Sequence, residues 1–183
     1  MTDFLQLLVF LVAAVNPAAA AGAPEPGGRT LSARVIGAGA MVALVLVGGA
    51  ALVADPILDG LGVEPETFRV GAGVVLLIGG ALAVWNGATP HRGPWEGDRV
   101  AFFPLGLPVL ATPAALAAAV SYGADEGAGE TLTAAAIALA VAIGLLAARA
   151  GRYEAATDGV ARVTGGVLIM VAAGLIVSGV RAI

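Results

Sequence analysis

The stretch Pro104–Pro113, PLGLPVLATP, lies inside an apolar run from Val100 to Val120 that is long enough to cross a bilayer. Each of its three prolines lacks a backbone N–H and crowds the carbonyl four residues earlier, so the run cannot form one straight helix. In hydrocarbon a freed carbonyl is costly unless protein or trapped water satisfies it. Because Thr is a good N-cap and Pro suits the first helical position, Thr112-Pro113 predicts a half-helix, Ala114 to Val120, that begins in mid-membrane.

The same combination occurs once more, at Asn16-Pro17 within the apolar run from Phe4 to Ala23. One cap-plus-proline pair in each half of the chain indicates a duplicated membrane protein. A pair of ordinary proline kinks, which membrane helices tolerate, is the alternative. The first run also has features of a signal peptide, but its early charge is Asp3 rather than a positive residue, so we interpret it as the first span.

The composition places the chain in a membrane. Of 183 residues, 59% are hydrophobic and 12% are charged, whereas charged residues make up about a quarter of a soluble domain. The sequence has no Cys, no Lys, a single histidine (His91) and a net charge of −4, which argues against thiolate or multi-histidine metal sites and against a basic nucleic-acid surface. No span interior contains Asp, Glu, His or Lys, and no phosphate-binding loop is present. We therefore expect neither an enzyme nor a resident cofactor or metal.

Apolar runs of spanning length predict an all-α membrane protein with a single polytopic domain of six transmembrane helices. The runs are Phe4–Ala23, Val35–Val53, Val70–Asn86, Val100–Val120, Leu132–Ala148 and Val163–Val180.

Arginine placement predicts the orientation of these spans. Seven of the nine arginines lie in the first, third and fifth linkers, which are then cytoplasmic, and both termini are outside a plasma or inner membrane. The seven are Arg29, Arg34, Arg92, Arg99, Arg149, Arg152 and Arg162; the other two are Arg69 and Arg181.

An internal repeat relates the third and sixth predicted spans. With an offset of 93, residues 69–86 and 162–179 are identical at six of eighteen positions, including Arg69 and Arg162. Three spans per repeat is an odd number, so the second repeat (about 98–183) enters the membrane inverted relative to the first (about 1–90). Chance similarity between Gly- and Val-rich helices is the rival explanation. The two arginines act either as interfacial anchors or in gating and pairing at each mouth.

Two half-helix N-termini at the midplane, each with unpaired N–H groups and about half a positive charge, favour an anion or a carboxylate-bearing solute. The predicted substrate-binding residues are Asn16, Pro17, Pro108, Thr112 and Pro113.

The chain resembles the MarC family of integral membrane proteins over nearly its whole length. The resemblance rests on Asn16-Pro17, on the stretch 68–77 (FRVGAGVVLL), on PLGLP at 104–108 followed by Pro113, and on Gly165-Gly166 with Ser178-Gly179-Val180. Gly22 and Pro24 stand later than in the family's N-P-x-G-x-x-P pattern, and Thr112-Pro113-Ala114 replaces its G-P-G. The resemblance implies a fold of three plus three helices, like that of small amino-acid and metabolite exporters.

These observations favour a small-solute transporter or exporter for an anionic or zwitterionic metabolite. Its expected partners are membrane lipid, an unidentified small solute and, as a possibility, further copies of the same chain. The alternative is a non-transporting membrane scaffold that binds a lipid or a protein. A polar cavity that reaches Asn16 and Thr112 would favour the first; sealed packing at both proline breaks would favour the second.

Overall fold

The computed structural model describes residues 4–18, 32–88, 98–147 and 154–183, and within these ranges all regular structure is helical. A 3-10 turn (Asp98–Ala101) and an irregular segment that we call the proline segment (Phe102–Leu110) precede the fifth α-helix. The α-helices are α1 (Phe4–Val15), α2 (Ala33–Leu52), α3 (Ala54–Leu61), α4 (Pro65–Asn86), α5 (Pro113–Asp125), α6 (Ala128–Ala147) and α7 (Glu154–Ala182).

Four described helices are long and apolar enough to cross a membrane: α2, α4, α6 and α7. A fifth candidate is the bent pair formed by Arg99–Leu110 and α5, whose two parts meet at 64°. The described part of the first predicted span, α1, has 12 residues, and its continuation lies outside the described residues. The all-helical membrane fold is confirmed, whereas the count of six spans stays a prediction.

The fourth predicted span is broken where its prolines stand. Phe103 (φ −138°, ψ 125°) and Leu107 (φ −134°, ψ 126°) are extended inside the proline segment. Each precedes a proline, whose ring disfavours the helical conformation of the residue before it. Helix geometry resumes after Thr112, an extended N-cap whose Oγ1 accepts the Ala115 N–H at 2.9 Å. The predicted half-helix start at Thr112-Pro113 is therefore confirmed.

The break at Asn16 has a different geometry from the one expected. Asn16 has a left-handed backbone (φ 49°) rather than the extended conformation of an N-cap, and its N–H donates to the Val12 carbonyl at 3.1 Å. It therefore ends α1, a role that Asn fills because it tolerates the left-handed region. Pro17 and Ala18 are again helical. The chain is interrupted where the sequence predicted, but Asn16 acts at the end of the preceding helix.

Small residues let the helices approach closely. A Cβ at Gly80 would lie 2.8 Å from the Gly165 carbonyl oxygen, and one at Gly165 would lie 2.8 Å from the Gly80 oxygen. Gly73 faces the Ala172 carbonyl and Gly179 faces that of Glu66, so residue numbers fall along α7 as they rise along α4. The two helices are thus packed antiparallel, with backbones in contact as in membrane helix pairs.

The contacts also show which helix ends lie together. Arg69, near the start of α4, is bonded to Asp125 at the end of α5, and a Cβ at Gly123 would meet the backbone of Ala51 near the end of α2. Arg162, in the first half of α7, bonds the carbonyl of Val84 near the end of α4. The end of α2, the start of α4 and the end of α5 therefore share one end of the bundle, and the end of α4 lies beside the first half of α7 at the other.

The outer surface suits lipid. Large apolar side chains are exposed along α2, α4 and α7, and Trp85, near one end of α4, is 84% exposed. Trp is enriched at membrane–water interfaces because its ring is apolar and its N–H is polar. The exposed set includes Met41, Val45, Ile78, Leu82, Val163, Met170 and Val180.

Candidate functional site

The two proline breaks meet in space. The Thr112 hydroxyl donates to the Ala14 carbonyl at 2.7 Å, across 98 residues of sequence. Ala14 lies in the last turn of α1, where the left-handed Asn16 and the missing N–H of Pro17 interrupt the helical ladder. One hydroxyl therefore joins the end of α1 to the start of α5.

A cavity of about 520 Å³ opens beside this contact, and we call it the proline-break cavity. Of the five residues that the sequence predicted for solute binding, four line it: Asn16, Pro108, Thr112 and Pro113. Pro17 is buried next to Asn16 and is not among the lining residues. Helices α4 and α7 complete the wall, chiefly through α4 residues between Val75 and Gly87 and through Leu168.

The wall of this cavity is largely apolar with a few polar side chains. Asn16 (8% exposed) and Thr112 lie at the breaks, and Asn86 contributes a second amide from the end of α4. Asn86 and Gly79 are lining residues that the sequence reasoning missed. The sequence indicates Asn86 only as the last residue of the third span, and a lone glycine in a Gly-rich helix carries no distinguishing signal.

Arg69 is engaged in a bidentate ion pair. Its Nε donates to Asp125 Oδ2 at 3.0 Å and its Nη2 to Asp125 Oδ1 at 2.5 Å. The side chains are 20% and 16% exposed, so the pair is partly shielded from solvent. Because it joins α4 to α5, it links the two halves of the chain. The sequence could not indicate this pairing, since a partner 56 residues away leaves no local pattern.

Arg162 makes the corresponding link at the other end of the bundle. Its Nε donates to Asp158 Oδ2 at 2.8 Å and its Nη1 to the Val84 carbonyl at 2.7 Å, while Asp158 Oδ1 accepts the Ala88 N–H at 3.2 Å. Gly87 leaves room for this carboxylate and has a positive φ of 62°. The sequence reasoning missed Asp158, although its i,i+4 spacing from Arg162 was a usable signal.

Several sequence predictions concern residues outside the described ranges. They are His91, the continuation of the first span beyond residue 18, and the arginines Arg29, Arg92, Arg149 and Arg152. In the parts of the chain that the structure does describe, no group of three or more acidic or histidine side chains is placed to hold a metal ion.

The fold and surface define the class of protein: a helical integral membrane protein with interrupted helices around a cavity. A family model described as MarC family integral membrane protein matches residues 31–183, most of the chain, and the chain belongs to this family. The matched range contains Thr112 and the proline segment but begins after Asn16. Searches of the curated proteins and of the solved structures gave no match.

Proposed function

We propose that the chain is a transporter, most simply an exporter, of a small anionic or zwitterionic metabolite. The observation that carries the proposal is the proline-break cavity, which reaches both Asn16 and Thr112. Its volume of about 520 Å³ falls within the range of roughly 300–1,000 Å³ that small-molecule sites occupy. A cavity at the breaks also weighs against a scaffold with sealed packing there.

The pattern of helix contacts supports an inverted-repeat architecture for this transporter. The predicted equivalents touch in pairs: α1 with α5, α2 with α6, and α4 with α7. Two pairs of contacts between non-equivalent helices also exchange: α4 touches α5 as α1 touches α7, and α2 touches α5 as α1 touches α6. A two-fold axis in the membrane plane would produce this exchange. The two predicted repeats, about 1–90 and 98–183, are then the moving parts of alternating access.

The chemistry at the breaks favours negative charge on the solute. Helix α5 begins on the cavity wall directly after its N-cap Thr112, and a helix N-terminus carries about half a positive charge. The amides of Asn16 and Asn86 on the same wall offer both donors and acceptors to a carboxylate or an ammonium group. In this proposal Thr112 and Asn16 contact the solute, and Pro108 and Pro113 prevent the backbone beside it from forming a continuous helix.

The test compares solute binding with stability in nanodiscs. Acetate, glycine and tetramethylammonium serve as the simplest anionic, zwitterionic and cationic probes, with binding measured by titration calorimetry. Thr112→Ala, Asn16→Ala and the double variant should weaken binding of acetate or glycine by more than they lower stability, since loss of an N-cap costs only about 0.5–2 kcal/mol. Thr112→Ser keeps the hydroxyl and should behave like the native chain.

Two results would count against the proposal. If the variants bind solute as the native chain does and each loses the same amount of stability, Asn16 and Thr112 have only a structural role at the helix breaks. If the protein binds tetramethylammonium tightly and binds neither acetate nor glycine, the helix N-terminus at Thr112 does not select for negative charge. Uptake of labelled glycine or malonate into proteoliposomes then separates transport from binding, and bound solute without uptake would favour the scaffold.

A further inference from the structure

A second cavity, of about 630 Å³, lies between α1, α4, α5 and α7, and we call it the Arg69 cavity. Arg69, Asp125 and Glu126 provide its charged wall, and Tyr122, Phe10 and Gly174 are among its other lining residues. The rings of Phe10 and Tyr122 are in contact, with centroids 5.8 Å apart. None of the residues predicted for solute binding lines this cavity.

The two cavities are placed in series along the bundle. Because α4 and α7 are antiparallel, Arg69 and Ser178 belong to one end of the pair, whereas Asn86 and Gly87 of the proline-break cavity belong to the other. On α1, Phe10 lines the Arg69 cavity and Ala14 lines the proline-break cavity. These two residues are four positions apart, about 6 Å along the helix axis.

Packed side chains of the core lie between parts of the two cavities. Ala118 lies on α5 midway between Ala114, which lines one cavity, and Tyr122, which lines the other, and it is fully buried. Leu11 and Leu168 are buried in the same core. The core is packed at this level of α5, so a solute could pass through it from one cavity to the other only if these side chains moved.

The ion pair of Arg69 with Asp125, on the wall of the Arg69 cavity, has the chemistry of a carboxylate site whose occupant can be replaced. The guanidinium of Arg69 presents two N–H groups to the two oxygens of Asp125, and any carboxylate can accept the same pair of bonds. Both side chains are about a fifth exposed and line an open cavity, so a solute can reach them without unfolding a helix. Opening the pair would also remove this side-chain link between α4 and α5, which connects occupancy to movement between the two halves.

We propose that the Arg69 cavity is a second solute site, at which the carboxylate of the solute replaces Asp125 on Arg69. The inference rests on the proposed function, because it places this site on the same path as the proline-break cavity. Asp125 is then a competitor that holds Arg69 when the cavity is empty.

The experiment removes the competitor and measures acetate binding by calorimetry in nanodiscs. Asp125→Asn should tighten acetate binding by about tenfold, the size expected when one charge-assisted hydrogen bond no longer has to be given up. Arg69→Gln should remove this site in the native and the Asp125→Asn backgrounds. Glu126→Gln is the matched control, since it removes the same charge from the neighbouring position on the wall while both bonds of the pair to Asp125 remain.

A second pair of variants covers the case in which Asp125→Asn is unstable. A Cβ at Gly174, on the cavity wall, would meet no atom within 4 Å, so Gly174→Leu should fill the cavity without disturbing its neighbours and abolish the Arg69-dependent acetate site. Gly166→Leu is its control, because Gly166 is equally unobstructed and lines neither cavity.

The outcomes separate this inference from the proposed function. If the affinity for acetate is unchanged in Asp125→Asn and in Gly174→Leu but is lost in Thr112→Ala, the second site is overturned. The proposed transporter function is not affected by that result. If Asp125→Asn raises the affinity for acetate no more than Glu126→Gln does, the effect is one of general electrostatics. That result also overturns the second site. Absence of acetate and glycine binding from the native chain and from every variant contradicts the proposed function itself.

Discussion

At the scale of single residues, Thr112 connects two interrupted helices. A hydroxyl has one donor and two acceptor positions, and here the donor serves Ala14 of α1 while an acceptor position serves Ala115 of α5. The same hydroxyl borders the proline-break cavity. Thr112 therefore stabilises the breaks, and its remaining acceptor position can take an N–H of a zwitterionic solute in the cavity.

Gly79 provides a test of the cavity that leaves the polar groups untouched. A Cβ there would meet Ala114 Cβ at 3.4 Å and Leu168 Cδ2 at 3.7 Å, which are ordinary contacts, so Gly79→Ala should fold normally. Gly79→Val adds further volume at the cavity wall and should weaken glycine or acetate binding by about tenfold or more, the scale on which pockets discriminate added methyl groups. The measurement is calorimetry in nanodiscs.

Gly71→Val is the control for Gly79→Val. Gly71 lies two turns earlier on α4 and away from the cavity, and a Cβ added there would meet no atom within 4 Å. Equal weakening of binding by both variants would show that the effect comes from the helix and not from the cavity.

At the scale of elements, hydropathy predicted the positions of α2, α4, α6 and α7, and the end of α4 at Asn86, but not the residues at which α4 and α7 begin. The α4 helix begins at Pro65 rather than Val70, and α7 begins at Glu154 rather than Val163, because a helix continues past the apolar run into polar residues that still form backbone bonds. The short α3, ending at the left-handed Gly62, was missed because it is too short to show periodicity.

The interrupted elements were predicted in part. Thr-Pro is a start signal, and Thr112 has that role. Asn is favoured both before a helix and after one, so the sequence alone could not decide which role Asn16 takes. The ion pair of Arg69 with Asp125 depends on how α4 and α5 pack, and no pattern within either helix reports that packing.

The close approach of α4 and α7 predicts that alanine substitutions at two glycines of α4, Gly80 and Gly71, change stability in opposite directions. Gly80→Ala places a methyl group 2.8 Å from the Gly165 carbonyl oxygen, a backbone atom that cannot turn away. The variant should lose about 1–3 kcal/mol of stability through overpacking. Gly71→Ala, with no neighbour within 4 Å, should gain up to about 1 kcal/mol because Ala is the better helix former. Denaturant unfolding in detergent measures both, and equal stabilities would contradict the antiparallel contact.

At the scale of the whole molecule, the pairings sort the described helix ends into two sets, one at each end of the bundle. Arg69 with Asp125 places the start of α4 beside the end of α5, and Arg162 with Val84 places the first half of α7 beside the end of α4. Which set faces the cytoplasm depends on the arginine bias, which favours the third and fifth linkers.

Cysteine labelling tests this orientation cleanly, since the native chain has no cysteine. Gly60 is exposed in α3 with no atom within 4 Å of an added Cβ, so Gly60→Cys should react with an impermeant thiol reagent applied from outside. Gly93→Cys, in the third linker, should react only after the membrane is permeabilised. The reverse pattern would place both termini inside.

The antiparallel contact of α4 with α7 also has a consequence for how the polypeptide can be divided. The closest glycine contacts of that pair, the bond from Thr112 to Ala14 and both arginine links all join a residue before position 89 to one after position 97. We therefore expect the two halves to associate through these contacts even when no peptide bond joins them. Co-expressed as separate chains, 1–90 and 98–183 should co-purify through a tag on either one, and Gly80→Ala should weaken their recovery.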